Sequence, residues 1–287
     1  AMQAGGHLVL HRAWNAEAVM CDISKYRVSV TFAVPSMLLF MSQHPDFAKA
    51  DLSSLRTIAV GGAPMPVPLL QLYADRHIPV NQGFGMTETT ATVSLLVPER
   101  GIDKQGSCGT PALLTEVRLT DYEGRPITQA HVKGELCIRG GNVMKGYWNR
   151  PDVTSNSFDE EGWFHSGDVA YVDEDGFYFI CDRLKDMVIS GGENVYPAEV
   201  ESVLYRHPAV AEAAVIGAPD ERWGERVVAI VALRPGTSLT LDELQDFARQ
   251  GLAGYKIPRE LRVVDALPRN PTGKVLKSQL REKNSAV

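Results

Sequence analysis

Apolar positions arrive along the chain in three successive textures. Up to about Val97, short apolar runs alternate with helical stretches. "HLVLH" (7–11), "VSVTFA" (28–33), "LRTIAV" (55–60) and "IPVNQGFG" (78–85) read as strands. "NAEAVMCDISKY" reads as a helix capped by Asn15, with Ala18, Cys21 and Ile23 as its apolar contacts. Pro35 opens a second helix in "PSMLLFMSQH", and a third follows Pro66. Strands alternating with helices predict a largely parallel sheet covered by helices.

From about Gly106 to Asp182 the texture becomes strands joined by tight turns. "VRLTDYEGRPI", "GELCIRG" and "AYVDEDGFYFICD" carry Glu-Gly and Asp-Gly turn signals, which predict a small antiparallel barrel or sheet. Asp173, Glu174 and Asp175 fit a hairpin tip better than a calcium loop, for which the cluster is too short. After "CDRLKD" (181–186) a compact α/β unit is expected. It holds a helix begun by Pro197, the strands "VAEAAVIGA" and "RVVAIVALR", a helix capped by Thr240 and a last strand, "RELRVVDAL". The expected class is therefore α/β, in three parts. A partial parallel α/β subdomain covers 1–105, a β-barrel-like subdomain covers 106–184, and a mobile C-terminal α/β domain covers 185–287.

Composition narrows the function classes. The 287 residues are 44% hydrophobic and 22% charged, with a net charge of −6, so neither wholesale disorder nor general nucleic-acid binding is expected. No apolar run reaches membrane-spanning length, and no basic amphipathic helix is evident, so membrane contact is expected to be peripheral at most. Cys21, Cys108, Cys137 and Cys181 are scattered without a CxxC pair, which suggests a reducing cytoplasm and neither a zinc site nor a disulfide scaffold. Oligomeric state is not legible.

Five stretches carry chemistry. Gly61-Gly62 in "AVGGAPMP" let a backbone approach a flat ligand at a strand end, or simply make a tight turn. In "NQGFGMTETT", Phe84 can stack on a base, Thr87 can meet phosphate oxygens or a metal, and Glu88 suits Mg²⁺; a glycine turn before a β-branched strand is the plainer alternative. Asp168 can accept from a ribose diol and Arg183 can donate to the sugar or a phosphate, unless the two merely stitch neighbouring strands. Gly191-Gly192 in "ISGGENVYPAEVE" resembles a phosphate-cradling turn without P-loop spacing, or a mobile loop that swings over a ligand. Lys274 in "NPTGKVLK", stiffened by Pro268 and Pro271, can neutralise charge on a carboxylate–phosphate centre if something delivers it there; taken alone it is a surface lysine.

In this order, the five stretches resemble the adenylate-forming superfamily of acyl-CoA synthetases, peptide-synthetase adenylation domains and luciferases, along essentially the whole chain. "RGGNVMKGYWNRPDVT", "SGGENVYPAEVE", "DERWGE" and "ALPRNPTGKVLK" are most similar to bacterial medium- or long-chain fatty acyl-CoA synthetases. The resemblance implies ATP, Mg²⁺ and CoA, a carboxylic acid substrate, and a two-step ligase reaction through an acyl-adenylate. It implies that Gly61, Gly62 and Ala63 line the adenine and acyl sites, with Phe84 beside adenine and Gly85 in the same binding loop. Thr87 falls on the α-phosphate, Glu88 on Mg²⁺, and Asp168 and Arg183 on the ribose hydroxyls. Lys185 becomes the hinge, Lys274 the cation of the adenylation step, and the Gly191-Gly192 loop part of the CoA channel. "TFAVPSMLL" makes a plausible apolar wall, which leans toward a fatty acid over an aryl or amino acid. The family's Ser/Thr/Gly-rich phosphate loop is expected upstream of Ala1. On that reading the chain is the C-terminal part of a synthetase, impaired in adenylation by itself, or a non-catalytic AMP/CoA-binding piece.

Overall fold

The computed structural model describes residues 5–62, 65–101, 103–270 and 273–285. Three five-stranded sheets follow one another along the chain. The first holds β1 (Val30–Ala33), β2 (Thr57–Val60), β3 (Val80–Phe84), β4 (Ser94–Leu95) and β5 (Thr110–Pro111), in that spatial order. β1, β2 and β3 pair in parallel, whereas β4 and β5 are added antiparallel. Three helices cover the parallel part: α1 (Ala16–Tyr26), α2 (Pro35–Gln43) and α3 (Val67–Ala74). Asn15 caps α1 by accepting the Ala18 N–H at 2.8 Å, and Pro35 occupies the first turn of α2, as the sequence predicts. Ile23, Leu38, Met41, Ile58 and Tyr73 are almost wholly enclosed between these layers. The Tyr73 hydroxyl donates to the Leu38 carbonyl at 2.8 Å, which makes its burial tolerable.

"HLVLH" is not a buried strand. Residues 7–11 are irregular, and Leu8 and Leu10 are exposed. A strand needs a partner ladder, and β1, with Val30 and Phe32 exposed, pairs among the described strands only with β2.

The second sheet runs β10-β9-β8-β6-β7, built from β6 (Thr115–Thr120), β7 (Pro126–Ile127), β8 (Gly134–Gly140), β9 (Phe164–Val172) and β10 (Tyr178–Arg183). It is antiparallel, and it is an open sheet rather than the barrel expected. Its outer strands β10 and β7 do not pair with each other, and two-residue β7 is too short to close a cylinder. The Asp173–Asp175 cluster lies at the β9–β10 turn, where Lys104 pairs with Asp173 at 2.7 Å and Asp175 at 2.6 Å. The single-turn helix α4 (Pro151–Ser155) lies between β8 and β9.

The third sheet centres on the long hairpin β13 (Val210–Asp220) and β14 (Gly224–Leu233). β11 (Val188–Ser190) joins the start of β14, β12 (Glu193–Val195) pairs with β11, and β15 (Glu260–Val264) lies parallel to β14. Both faces are buried, so both long strands are apolar with little alternation. One face packs Val215 and Val227 under α5 (Pro197–Leu204) and α6 (Leu241–Ala248), through Leu204 and Leu244. The other packs Ile216, Val228 and Ile230 under α7 (Lys277–Ser285), through Leu280. Thr240 caps α6 in a reciprocal box with Glu243.

Candidate functional site

β2 and β3 are adjacent parallel strands, so their C-terminal ends deliver two glycine loops to one edge of the sheet. A Cβ on Gly61 would lie 3.5 Å from the Phe32 ring and 3.7 Å from the Gly83 carbonyl. Gly62, at φ +86°, stands beside Val34, 3.6 Å from where its Cβ would be. "TFAVPSMLL" therefore does supply apolar neighbours, Phe32 and Val34, to the glycine loop. Ala63 lies outside the described residues.

Phe84 ends β3 half-buried, wedged among Val93, Ile138 and Phe164. A Cβ on Gly85 would sit 1.9 Å from the Ala91 carbonyl oxygen, so a backbone crossing requires this glycine. The next residues form a short 3₁₀ turn, Thr87–Thr89, with Thr87 exposed and Glu88 half-buried. The Tyr147 hydroxyl donates to Glu88 Oε1 at 2.9 Å, and the Met144 N–H donates to the Glu88 carbonyl at 2.7 Å. Burial first, then the Glu88 carboxylate, raises the Tyr147 hydroxyl above its ordinary pKa. Sequence reasoning passed over Tyr147 and over Asn142, whose amide donates to the Thr89 and Thr92 carbonyls. Both lie on the β8–α4 connection, and only their position in a glycine-rich loop distinguishes them in the sequence.

Asp168 and Arg183 are a cross-strand pair of β9 and β10. Asp168 is 4% exposed; its Oδ1 accepts from Arg183 Nε at 3.0 Å, and its buried Oδ2 has no hydrogen-bond partner among the described residues. Burial pushes the carboxyl above the ordinary range, outweighing the opposing attraction of Arg183 and Lys274. The strand-stitching alternative thus explains one oxygen of Asp168 and leaves the other unsatisfied. A β-bulge opposite Leu136 aims this residue: β9 slips between its pairings with Glu135 and Cys137. Gly167 in the bulge adopts φ +71°. The Ser166 hydroxyl donates to the Leu136 carbonyl at 2.6 Å and accepts the Asp168 N–H at 3.0 Å.

Lys274 stands on a tight loop closed by the Arg269–Val275 bridge. Asn270 exchanges backbone hydrogen bonds with Gly273 and Lys274, and its side chain accepts the Lys274 N–H at 2.9 Å. The Ser36 hydroxyl, in the first turn of α2, donates to the Gly273 carbonyl at 3.1 Å, and Arg269 donates to the same oxygen at 2.8 Å. Gly273 lies at φ +84°, where a Cβ would reach 2.8 Å from the Ser36 hydroxyl and 3.3 Å from Val34. The C-terminal loop is thereby seated on the segment that flanks Gly62. Lys274 is an exposed residue, as a surface lysine would be, yet it lies within electrostatic reach of Asp168, Arg183, Asp186 and Lys185; partial desolvation and then Arg183 lower its pKa below the ordinary lysine value.

The other expected residues lie apart from this cluster. Gly191 and Gly192 form the turn of the β11–β12 hairpin at φ +63° and +84°. Gly191 packs on the Trp223 ring, over which the Arg222 and Arg259 guanidiniums lie at 4.9 and 4.3 Å. Lys185 sits in the 3₁₀ turn Leu184–Asp186, between the second and third sheets. That turn is braced by an Arg281–Asp186 ion pair at 2.6 Å. Nearby, Lys277 pairs with Glu201 at 2.8 Å. Burial opposes its charge, but Glu201 and Asp182 together win and raise its pKa.

This arrangement can hold a sugar diol on the free Asp168 oxygen, an anion near Arg183 and Lys274, a hard cation on Glu88, and an apolar group beside Phe32 and Val34. A family model described as AMP-binding enzyme matches residues 1–148, and one described as AMP-binding enzyme C-terminal domain matches residues 199–274. A feruloyl-CoA synthase of Amycolatopsis sp is 47% identical over 97% of the chain and 56% of the relative. A long-chain-fatty-acid–CoA ligase of Mycobacterium tuberculosis (strain ATCC 25618 / H37Rv) is 43% identical, over 99% and 56%. The solved o-succinylbenzoate coenzyme A synthetase of Bacillus subtilis, in complex with ATP and magnesium ion, superposes with a TM-score of 0.84. It is 40% identical, over 96% of the chain and 56% of that structure. The chain thus spans about half the length of the curated relatives it matches.

Proposed function

The chain belongs to the AMP-binding enzyme family, and from that premise we propose that it serves an ATP-dependent acid–thiol ligase that makes an acyl-CoA through an acyl-adenylate. The observation that carries this reading is the buried Oδ2 of Asp168, without a hydrogen-bond partner among the described residues, beside Arg183 and with Lys274 in reach. A carboxylate oxygen with no partner is costly inside a protein, and two adjacent sugar hydroxyls are donors that would satisfy it.

In the first step a substrate carboxylate oxygen bonds to the α-phosphorus of ATP, the bond to the bridging oxygen breaks, and pyrophosphate leaves. In the second, the CoA sulfur bonds to the acyl carbon, the thiol proton goes to solvent, and AMP leaves. Asp168 and Arg183 hold the ribose, and Lys274 neutralises charge where carboxylate and α-phosphate meet. The Thr87 hydroxyl donates to the α-phosphate. Glu88 would hold Mg²⁺. Tyr147 takes one of its oxygens, and the second, of the hard type magnesium prefers, has no hydrogen bond among the described residues. The ion's chemistry there is charge neutralisation on phosphate oxygens. Lys185 is the hinge about which the third sheet turns, and the Gly191-Gly192 turn with Trp223 faces CoA in the second step.

The acyl group is proposed to be apolar, since Phe32, Val34 and glycines border the loop, and a fatty acid is the first choice. The 47% identity with a feruloyl-CoA synthase favours a second reading, an aryl-propenoic acid. A thioesterification assay of the full-length enzyme with fatty acids of increasing chain length and with ferulate decides between them. A specificity constant that rises with chain length supports the first, and a preference for ferulate the second. Turnover of neither, with ATP, Mg²⁺ and CoA present, overturns the apolar-acid assignment.

A further inference from the structure

The second sheet holds a cluster of donor atoms that the ligase reading does not use. Glu135 and Cys137 are two residues apart on β8, and His165 stands directly opposite Cys137 on β9. The His165 Nδ1 lies 2.8 Å from Glu135 Oε2 and 3.6 Å from Cys137 Sγ, and all three donor atoms lie within 4.8 Å of one another. Tetrahedral zinc with ligand bonds of about 2.0 to 2.3 Å requires neighbouring donors roughly 3.3 to 3.6 Å apart, so the sulfur–nitrogen spacing already fits, whereas the His165–Glu135 hydrogen bond at 2.8 Å has to open on binding.

Cys137 and Glu135 have hydrogen-bonded outer partners, and His165 has a carboxylate beyond hydrogen-bond distance that it could reach by a small ring shift. His165 Nε2 lies 3.8 Å from Asp159 Oδ2, the carboxylate that a metal-bound imidazole commonly addresses through its second nitrogen. The Thr120 hydroxyl stands 3.4 Å from Cys137 Sγ, and the Gly167 N–H donates to the other Glu135 oxygen at 3.0 Å. Asp159 is itself fixed, through the N–H groups of Glu161 and Trp163 at 3.0 and 2.9 Å and an ion pair with Arg118. Nitrogen, sulfur and oxygen donors on two hydrogen-bonded strands form a site for a borderline-soft divalent cation rather than for magnesium or calcium.

We propose that Glu135, Cys137 and His165 bind one thiophilic divalent cation, zinc or its analogues, with solvent as a fourth ligand. Binding replaces the Cys137 S–H bond by a sulfur–metal bond and releases that proton to solvent. The His165 Nδ1 lone pair and one Glu135 oxygen complete the protein ligands, with the remaining imidazole proton on Nε2, toward Asp159. The ion is distinct from any magnesium at Glu88. It lies one hydrogen bond from the Asp168 bulge, through Glu135 and Gly167.

Titration of the 287-residue chain with Co²⁺ alone tests this. The expected result is one equivalent bound, with a thiolate-to-cobalt charge-transfer band in the near ultraviolet, tetrahedral ligand-field bands in the visible, and displacement by Zn²⁺. Cys137→Ala abolishes the charge-transfer band, and His165→Ala, with folding checked by circular dichroism, weakens binding at least tenfold. Asp159→Asn weakens it by roughly 10-fold or more, the usual cost of losing an outer contact. Cys108→Ala leaves the spectrum unchanged. No charge-transfer band with the native chain, or one that survives in Cys137→Ala, overturns the site.

Discussion

Asp168 shows how a single carboxylate can be expensive for the fold and useful for the ligand. Its folded pKa is raised above the ordinary 3.8, so the fold holds its proton more tightly than the unfolded chain does. Stability from this group is therefore present at acid pH and is lost as pH rises from 3.8 through the raised value; at neutrality the ionised carboxylate is a standing cost. Asp168→Asn should accordingly leave the melting temperature at pH 7 unchanged or higher in scanning calorimetry. A fall of several degrees would show the carboxylate to be a structural strut for Arg183 instead. Lys274 is shifted the other way, below the ordinary 10.5. In the full-length enzyme, the basic limb of the adenylation pH profile should therefore begin below the ordinary lysine range, and Lys274→Arg should move it upward. Lys274→Ala should cripple pyrophosphate exchange while largely sparing acyl-CoA formation from supplied acyl-AMP. Equal loss in both half-reactions would remove the lysine from the first step. These residues were legible in the sequence because each sits in a short run rich in glycine or turn residues. Tyr147 and Asn142 were not, because their roles come from reaching across some 50 residues to the Thr87 turn.

At the level of elements, glycine and proline punctuation made most helices and strands readable: Asn15, Pro35, Pro197 and Thr240 all mark helix starts where expected. Two failures have physical causes. "HLVLH" has strand composition, but strand formation depends on a neighbour that composition does not report. α7 was missed because "KSQLREKNS" is almost wholly polar, and among its described side chains Leu280 is the buried apolar one. Nor does alternation within strands distinguish a barrel from an open sheet, since that depends on whether the outer strands meet. Gly85 illustrates a requirement visible only in the fold. Gly85→Ala would push a methyl into the Ala91 carbonyl, which lies 1.9 Å from the Cβ position. Overpacking of this kind costs about 1 to 3 kcal/mol. Urea denaturation should show that loss in the midpoint with an unchanged slope. An unshifted midpoint would mean that the 84–92 crossing relaxes freely.

Over the whole molecule, the proposed site draws on three sheets that the chain visits in order. The first supplies Gly61, Gly62 and the Thr87–Glu88 turn, the second Asp168 and Arg183, and the third carries the Lys274 loop. Gly273 seats that loop on Ser36, 237 residues earlier in the chain. The third sheet's unit meets the others at several points: the Ser36 hydroxyl holds Gly273, the Ala198 N–H donates to Asp182 at 2.8 Å, and the Asn194 amide donates to the Tyr122 hydroxyl at 2.7 Å. A pivot of this unit at Lys185 between two half-reactions, as proposed, has to break these contacts. The central claim is that this junction takes an adenylate, with the ribose on the free oxygen of Asp168. Calorimetric titration of AMP into the native chain and into Asp168→Asn tests it most directly. Charge-assisted hydrogen bonds are worth about 1.5 to 3 kcal/mol, so saturable one-to-one binding by the native chain should weaken about 10- to 100-fold in the variant. Equal affinity in the two proteins, or no binding by either, would contradict the account.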